Sequence, residues 1–133
     1  MATGTAGGTG QEYHTNQVHY LSKAIVFGDD GSTLTLGKVP PYAAVIRGGV
    51  VVTTAFNAGS TNVLDIGTSD DTDGFATDLA LGTVGVIVAD EMATSNDSFA
   101  TTERTIQCVV DLTGTAATTG AGYVWVEYIV HRA

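Results

Sequence analysis

The chain is poor in four kinds of residue. It has one cysteine, two prolines, one tryptophan and five basic residues in 133 positions. A lone Cys108 excludes an intrachain disulfide and a paired Cys₂His₂ zinc site. The prolines are adjacent, Pro40-Pro41, and break the pattern of "GKVPPY", because neither fits inside a central strand. Five basic residues against fourteen acidic ones give a formal charge of −9. A surface of that sign repels phosphate and gives no polybasic membrane contact, so neither nucleic acid nor membrane is an expected partner. No apolar run approaches a transmembrane span, and "MATGTAGGTGQEYH" lacks the basic start and apolar stretch of a secretion signal. The expectation is a chain made in the cytoplasm that stays soluble.

What is present suits β-structure. The length fits one domain, and 44% hydrophobic residues suffice for a core. Glycine, threonine, alanine and valine recur, a mix that favours short strands and tight turns over long helices. Residues 1–12 form a Gly/Thr/Ala arm with too little apolar mass to order itself, and a neighbouring subunit is its expected anchor. Residues 13–133 form the single domain. Strands are expected over Gln17–Phe27, Ser32–Leu36, Ala43–Phe56, "NVLDIG", Thr83–Asp90, Arg104–Leu112 and Tyr123–Ala133, with a "GDDG" turn at Gly28–Gly31. In Ala43–Phe56 the core parity reads Ile46, Gly48, Val50, Val52, Thr54 and Phe56, and Gly48-Gly49 suggests a bulge or bend. "DGFATDLAL" reads as one helical turn capped by Asp73, and "EMATSNDSFATTE" as a polar loop. Seven or eight strands without an amphipathic helix predict an all-β, jelly-roll-like antiparallel sandwich with an extended N-terminal arm.

The candidate sites are few. Five aspartates (Asp65, Asp70, Asp71, Asp73 and Asp78) crowd the stretch Asn62–Leu79. "SDDTDG" begins like a calcium loop, but Ser69 would hold the first ligand position and Ala80 the twelfth. Asp70, Asp71 and Asp73 therefore remain a weak calcium candidate, against a solvated turn in which Asp and Thr side chains bond nearby amides. His14, His19 and His131 match no metal-binding spacing and read as surface or interface residues. The glycines of "GTAGGTG" precede no G-K-[ST], and no serine-hydrolase elbow occurs. A hydrolase would need carboxylates converging in a cleft, such as Asp65 with Glu127 or Asp111. No catalytic constellation and no cofactor is assigned, and the chain is expected not to be an enzyme. Cys108, in phase with Ile106, Val110 and Leu112, reads as a core residue.

The last strand carries a sharper signal. Val124, Val126, Tyr128 and Val130 share one parity, and Tyr123, Trp125 and Ile129 share the other with Glu127 and His131. A sandwich strand needs one apolar face, so a second one implies burial against another chain or the arm; a closed barrel is the alternative. Tyr123, Trp125 and Ile129, with Gln11 and Tyr13 beside the arm, are the expected interface residues.

"VPPYAAVIRGGVVVTTAFNAGSTNVLDIGTSDDTDGFA", followed by "LALGTVG" and "GYVWVEYIV", resembles small structural proteins of tailed bacteriophages, and among them the head decoration, or cement, proteins. The resemblance spans roughly residues 39–130, with "VVVTTAFNAGSTNVLDIGTSDD" its most specific part. It implies a jelly-roll-like fold, no active site, and a homo-oligomer, a trimer favoured over a dimer. It also implies a place on the outer surface of the virion capsid, bridging major capsid subunits. The alternatives are a tail or neck β-module and, further off, a carbohydrate- or calcium-binding module.

Overall fold

The computed structural model describes residues 18–89 and 92–130. The N-terminal arm, Gln11, Tyr13, His14 and His131 lie outside them. The described residues form eight strands: β1 (His19–Val26), β2 (Thr33–Val39), β3 (Ala43–Thr54), β4 (Thr61–Thr68), β5 (Ala76–Ala80), β6 (Gly85–Ala89), β7 (Arg104–Thr113) and β8 (Ala121–Val130). They make two four-stranded antiparallel sheets, ordered β1-β8-β3-β6 and β2-β7-β4-β5. The first strand pairs with the last, the second with the seventh, the third with the sixth and the fourth with the fifth. A long antiparallel ribbon rolled on itself gives this order, and the expected jelly roll is the fold.

The core lies between the sheets and follows the period of two. On β7, Ile106, Cys108 and Val110 are buried; on β8, Val124 and Val126 are buried, with Tyr128 and Val130 packed beside them. Leu64 and Ile66 of β4 complete the layer from the other side.

The sequence reading of β3 needs a correction. Ala43 and Val45 are buried, and so are Val50 and Val52, so the core parity changes along the strand. The β3–β8 register skips Ile46, pairing Val45 with Tyr128 and Arg47 with Glu127. One extra residue in a ladder turns every later side chain over. The bulge is therefore at Ile46, a partly buried residue outside the core, and not at Gly48-Gly49. The glycines meet a packing need instead. A Cβ on Gly48 would stand 2.5 Å from the Trp125 carbonyl oxygen and 2.8 Å from Met92 Sδ. Met92 is fully buried there, in a 3₁₀ turn (Met92–Thr94) within the stretch read as a polar loop.

Two other segments differ from expectation. Strand β2 continues through Gly37–Val39, because a bulge at Leu36 restores its pairing with β7 before the prolines end it. "DGFATDLAL" is not a helical turn: β5 pairs with β4, fixed by Phe75 N–H to Ile66 O (2.9 Å) and Leu81 N–H to Asn62 O (2.9 Å). Phe75 and Leu81 are buried. The edge of β4 offers a full row of backbone partners, and that outweighs the local helical spacing.

Candidate functional site

The two outer faces of the sandwich differ in chemistry. On the β2-β7-β4-β5 sheet, Asp65 lies opposite Val109 and Asp111 opposite Val63, so both aspartates share the outward parity. The turn after β4 adds Asp70, Asp71 and Asp73. Its shape comes from buried Thr68, whose Oγ1 accepts the amides of Asp70 (3.3 Å) and Asp71 (3.2 Å). The Thr68 amide donates to Asp71 O at 2.8 Å, and Gly74 N–H donates to the same oxygen at 3.1 Å. Gly67 lies so close beneath the loop that a Cβ would come within 2.1 Å of Asp71 O. Nearby, Asp65 Oδ1 accepts the Asp78 amide at 2.8 Å, and Asp78 is in the left-handed region at φ 56°. These are the side-chain-to-backbone bonds of an Asx-rich turn.

The hydrogen bond and negative charge of Asp71 raise the carboxyl pKa of Asp73. Among the described residues, no group of three His, Cys, Asp or Glu side chains is placed to hold a metal ion. The Asp70, Asp71 and Asp73 candidate thus has a carboxyl pair at Asp71 and Asp73 without a converging ligand set. The carboxylates considered for hydrolysis do not meet either. Asp65 faces out of one sheet, while Glu127 faces out of the other and is bonded to Arg47 Nε. Asp111 is a diagonal neighbour of Asp65 on the same outward face, beside apolar Val63 and Val109.

The outward face of the β1-β8-β3-β6 sheet is apolar. Cross-strand partners place Tyr20 beside Glu127, Ser22 beside Trp125 and Ala24 beside Tyr123. Further across, Arg47, Gly49 and Val51 stand opposite Glu127, Trp125 and Tyr123, and β6 adds Val88 and Val86 next to Gly49 and Val51. Tyr20 is 70% exposed, Val86 61%, Val88 46%, Tyr123 44% and Ile129 40%. Trp125 is half-buried and, with Tyr20, Val51, Val86, Tyr123 and Glu127, lines a groove of about 440 Å³. By register, Arg47 and Glu127 are the charged side chains on this face among the described residues, and they are paired with each other. His19, on the inward parity of β1, stacks on Tyr128 with ring centroids 5.5 Å apart.

The sequence-predicted residues Tyr123, Trp125 and Ile129 thus stand on one outward face. The sequence reading missed Tyr20, Val51, Val86 and Val88. The signal was present in "TVGVIVAD", where both parities are apolar, as they are in β8. Among the described residues no helix is long and apolar enough to cross a membrane.

No family model matches the chain, and no curated protein matches it. Solved structures do. A chain of the capsid asymmetric unit of cyanophage Pam1 aligns with TM-score 0.68 at 15% identity, over 98% of this chain and 94% of that one. A chain of the acid-stable capsid of Helicobacter pylori bacteriophage KHP30 aligns with TM-score 0.61 at 18% identity, over 85% and 87%. A chain of the capsid of Ralstonia phage GP4 aligns with TM-score 0.62 at 18% identity, over 90% and 88%. The jelly roll of this chain is therefore, over almost its whole length, a fold found in the capsids of three phages.

Proposed function

We propose that the chain is a structural virion protein, a decoration or cement protein that binds the outside of an assembled phage head and bridges its major capsid subunits. The observation that carries this reading is the near full-length likeness to chains in three phage capsid structures. The surface agrees with it. A broad apolar sheet face on a strongly acidic chain suits assembly. The acidic opposite face suits a position away from packaged DNA. No catalytic step and no cofactor is part of the proposal.

The mechanism is linkage. A protein that binds the closed shell and not its separated subunits stabilises the shell by its binding free energy, and more so as its concentration rises. Two experiments test this. Electron cryo-microscopy of the phage that encodes the chain should show it at regular positions on the outer head, touching more than one capsid subunit. Adding purified chain to undecorated shells should raise their disassembly temperature. Density confined to the tail or neck would transfer the chain to the alternative, a tail or neck β-module. Absence from the particle would overturn the virion role.

A further inference from the structure

Two open sheets leave four edge strands, which in this chain are β1, β6, β2 and β5. Three of them carry devices that block a further strand. Strand β1 has exposed Lys23 in phase with inward Leu21 and Ile25. Strand β2 has its bulge at Leu36, then Lys38 and the two prolines. Strand β5 has an extra residue against β4, with Asp78 left-handed at φ 56°. Strand β6, "GVIVA", has none of these. It holds no charge and no proline, and it pairs with β3 without a break, from Gly85 opposite Val52 to Ala89 opposite Gly48.

The direction of the β6 backbone follows from Gly49. A Cβ on Gly49 would meet the Ile87 carbonyl oxygen at 2.1 Å, so that oxygen points at β3. Backbone groups alternate sides along a strand, so the N–H and C=O of Val86 and Val88 point away from β3. Among the described residues no turn or loop backbone bonds to them. Their side chains are exposed on the outward face. Strand β6 thus presents unsatisfied donors, acceptors and two valines in one row, about 17 Å long. An added strand of about five residues satisfies those backbone groups, and apolar residues on its outward side extend the valine row.

Charge selects the occupant. The sequence runs from β6 into Asp90-Glu91, and the loop that follows holds Asp97. Ser98 O in that loop accepts the Val45 amide at 2.7 Å, which fixes the loop beyond the Ala89 end of β6. Ser95 Oγ donates to Gly74 O at 2.6 Å and joins the loop to the Asp71–Asp73 turn, so further carboxylates gather at the same end. The described lysines, Lys23 and Lys38, are on β1 and β2, at the other edge of the sandwich. A second copy brings a net charge of −9, and residues 1–17 hold no lysine or arginine, so neither answers this field. A foreign segment with lysine or arginine at one end does. We infer that the open edge of β6 receives, by strand addition, an extended segment of a capsid subunit, apolar on its outward side and basic where it passes the Ala89 end. The capsid origin of the segment rests on the proposed virion role; the open edge does not.

Amide hydrogen exchange in the full chain, read residue by residue, tests this. In the chain alone Val86 and Val88 should exchange nearly as fast as unstructured amides, while Ile87, which faces β3, is protected. The probe is a synthetic peptide of about nine residues, alternating valine and threonine, with two lysines at one end. It should slow exchange at Val86 and Val88 at least about tenfold. The same peptide with alternate amides N-methylated should protect neither, and one with glutamates for the lysines should bind at least about tenfold more weakly. Val88→Pro removes one outward donor, leaves the ladder to β3 and should also weaken binding of the lysine peptide. Protection of Val86 and Val88 in the chain alone would overturn the inference, because the edge would already be filled. Equal binding of the methylated or the glutamate peptide would overturn it as well. On undecorated shells the same two amides should become protected. A chain that decorates shells while both amides exchange freely would overturn the edge contact and leave the capsid role intact. A chain that takes up the lysine peptide at β6 but leaves shells bare would keep the open edge and overturn the capsid subunit as its partner.

Discussion

Gly49 stands directly opposite Trp125 in the β3–β8 ladder and directly opposite Val88 in the β3–β6 ladder. It has no room for a side chain. A Cβ there would lie 2.1 Å from the Ile87 carbonyl oxygen and 3.0 Å from the Val88 Cα. Both are backbone atoms of β6, so relief requires β6 to move away from β3. Gly49→Ala should therefore destabilise the chain by about 1–3 kcal/mol or more, measured by urea unfolding. Gly82→Ala is the control, because nothing lies within 4 Å of its Cβ position. That change should alter stability by no more than about 0.5 kcal/mol. Equal effects at the two sites would disprove the close approach of β6.

Thr68 controls the acidic turn through one hydroxyl. Its Oγ1 accepts two amides, and the residue is only 4% exposed. Thr68→Val keeps the shape and removes both bonds. The cost should be about 1–2 kcal/mol, since the Asp70 amide loses its acceptor while the Asp71 amide keeps the Thr68 carbonyl oxygen at 3.2 Å. Thr68→Ser keeps the oxygen and should recover most of the loss. Amide hydrogen exchange at Asp70 is the local check: protection should fall in the valine variant and persist in the serine variant.

Much of this architecture was legible in the sequence because a period of two reports burial directly. Strands β7 and β8 obey it from end to end, and their core residues are those the alternation marks. The double apolar parity of β8 likewise announced the outward face. The misreadings share a cause. The bulge at Ile46 belongs to the β3–β8 ladder, and no residue of β3 states that register alone. Strand β5 is a strand because β4 waits beside it; its own residues spell a helical turn equally well. The acidic stretch was readable as a turn but not in detail. Its anchor is the buried threonine that precedes the aspartates.

The Asp71–Asp73 pair makes a prediction with a definite sign. Asp71 raises the carboxyl pKa of Asp73 above its ordinary value of 3.8. A raised value means the folded chain binds this proton more tightly than the unfolded chain does. The stabilising proton is held below the ordinary value and lost as pH rises through the raised one. At neutral pH both groups are charged and repel. Asp73→Asn removes the repulsion while keeping a donor for Asp71. It should raise the melting temperature slightly at pH 7 and leave it unchanged near pH 3. A rise of equal size at both pH values would show that charge is not the cause.

Cys108 gives the clearest pH signature, because burial alone dominates its chemistry. The thiol is fully buried on β7, between Leu34 of β2 and Ile66 of β4. Burial pushes its pKa from an ordinary 9.0 up to about 12. Two outcomes follow. A thiol-specific disulfide reagent at pH 8 should fail to label the native chain and should label it fully in denaturant. The second outcome concerns stability. Between about pH 9 and pH 12 the unfolded chain releases this proton and the folded chain keeps it. Unfolding is then favoured by up to about 1.4 kcal/mol for each pH unit. The measurement is a difference, so that contributions from every other group cancel. Unfolding free energies of the native chain and of Cys108→Ala, taken from pH 7 to pH 11, should run parallel below pH 8. Above pH 9 the native curve should fall more steeply. Parallel curves throughout would mean that the thiol meets water in the folded state, and that the β2-β7-β4 layer opens on the timescale of the measurement.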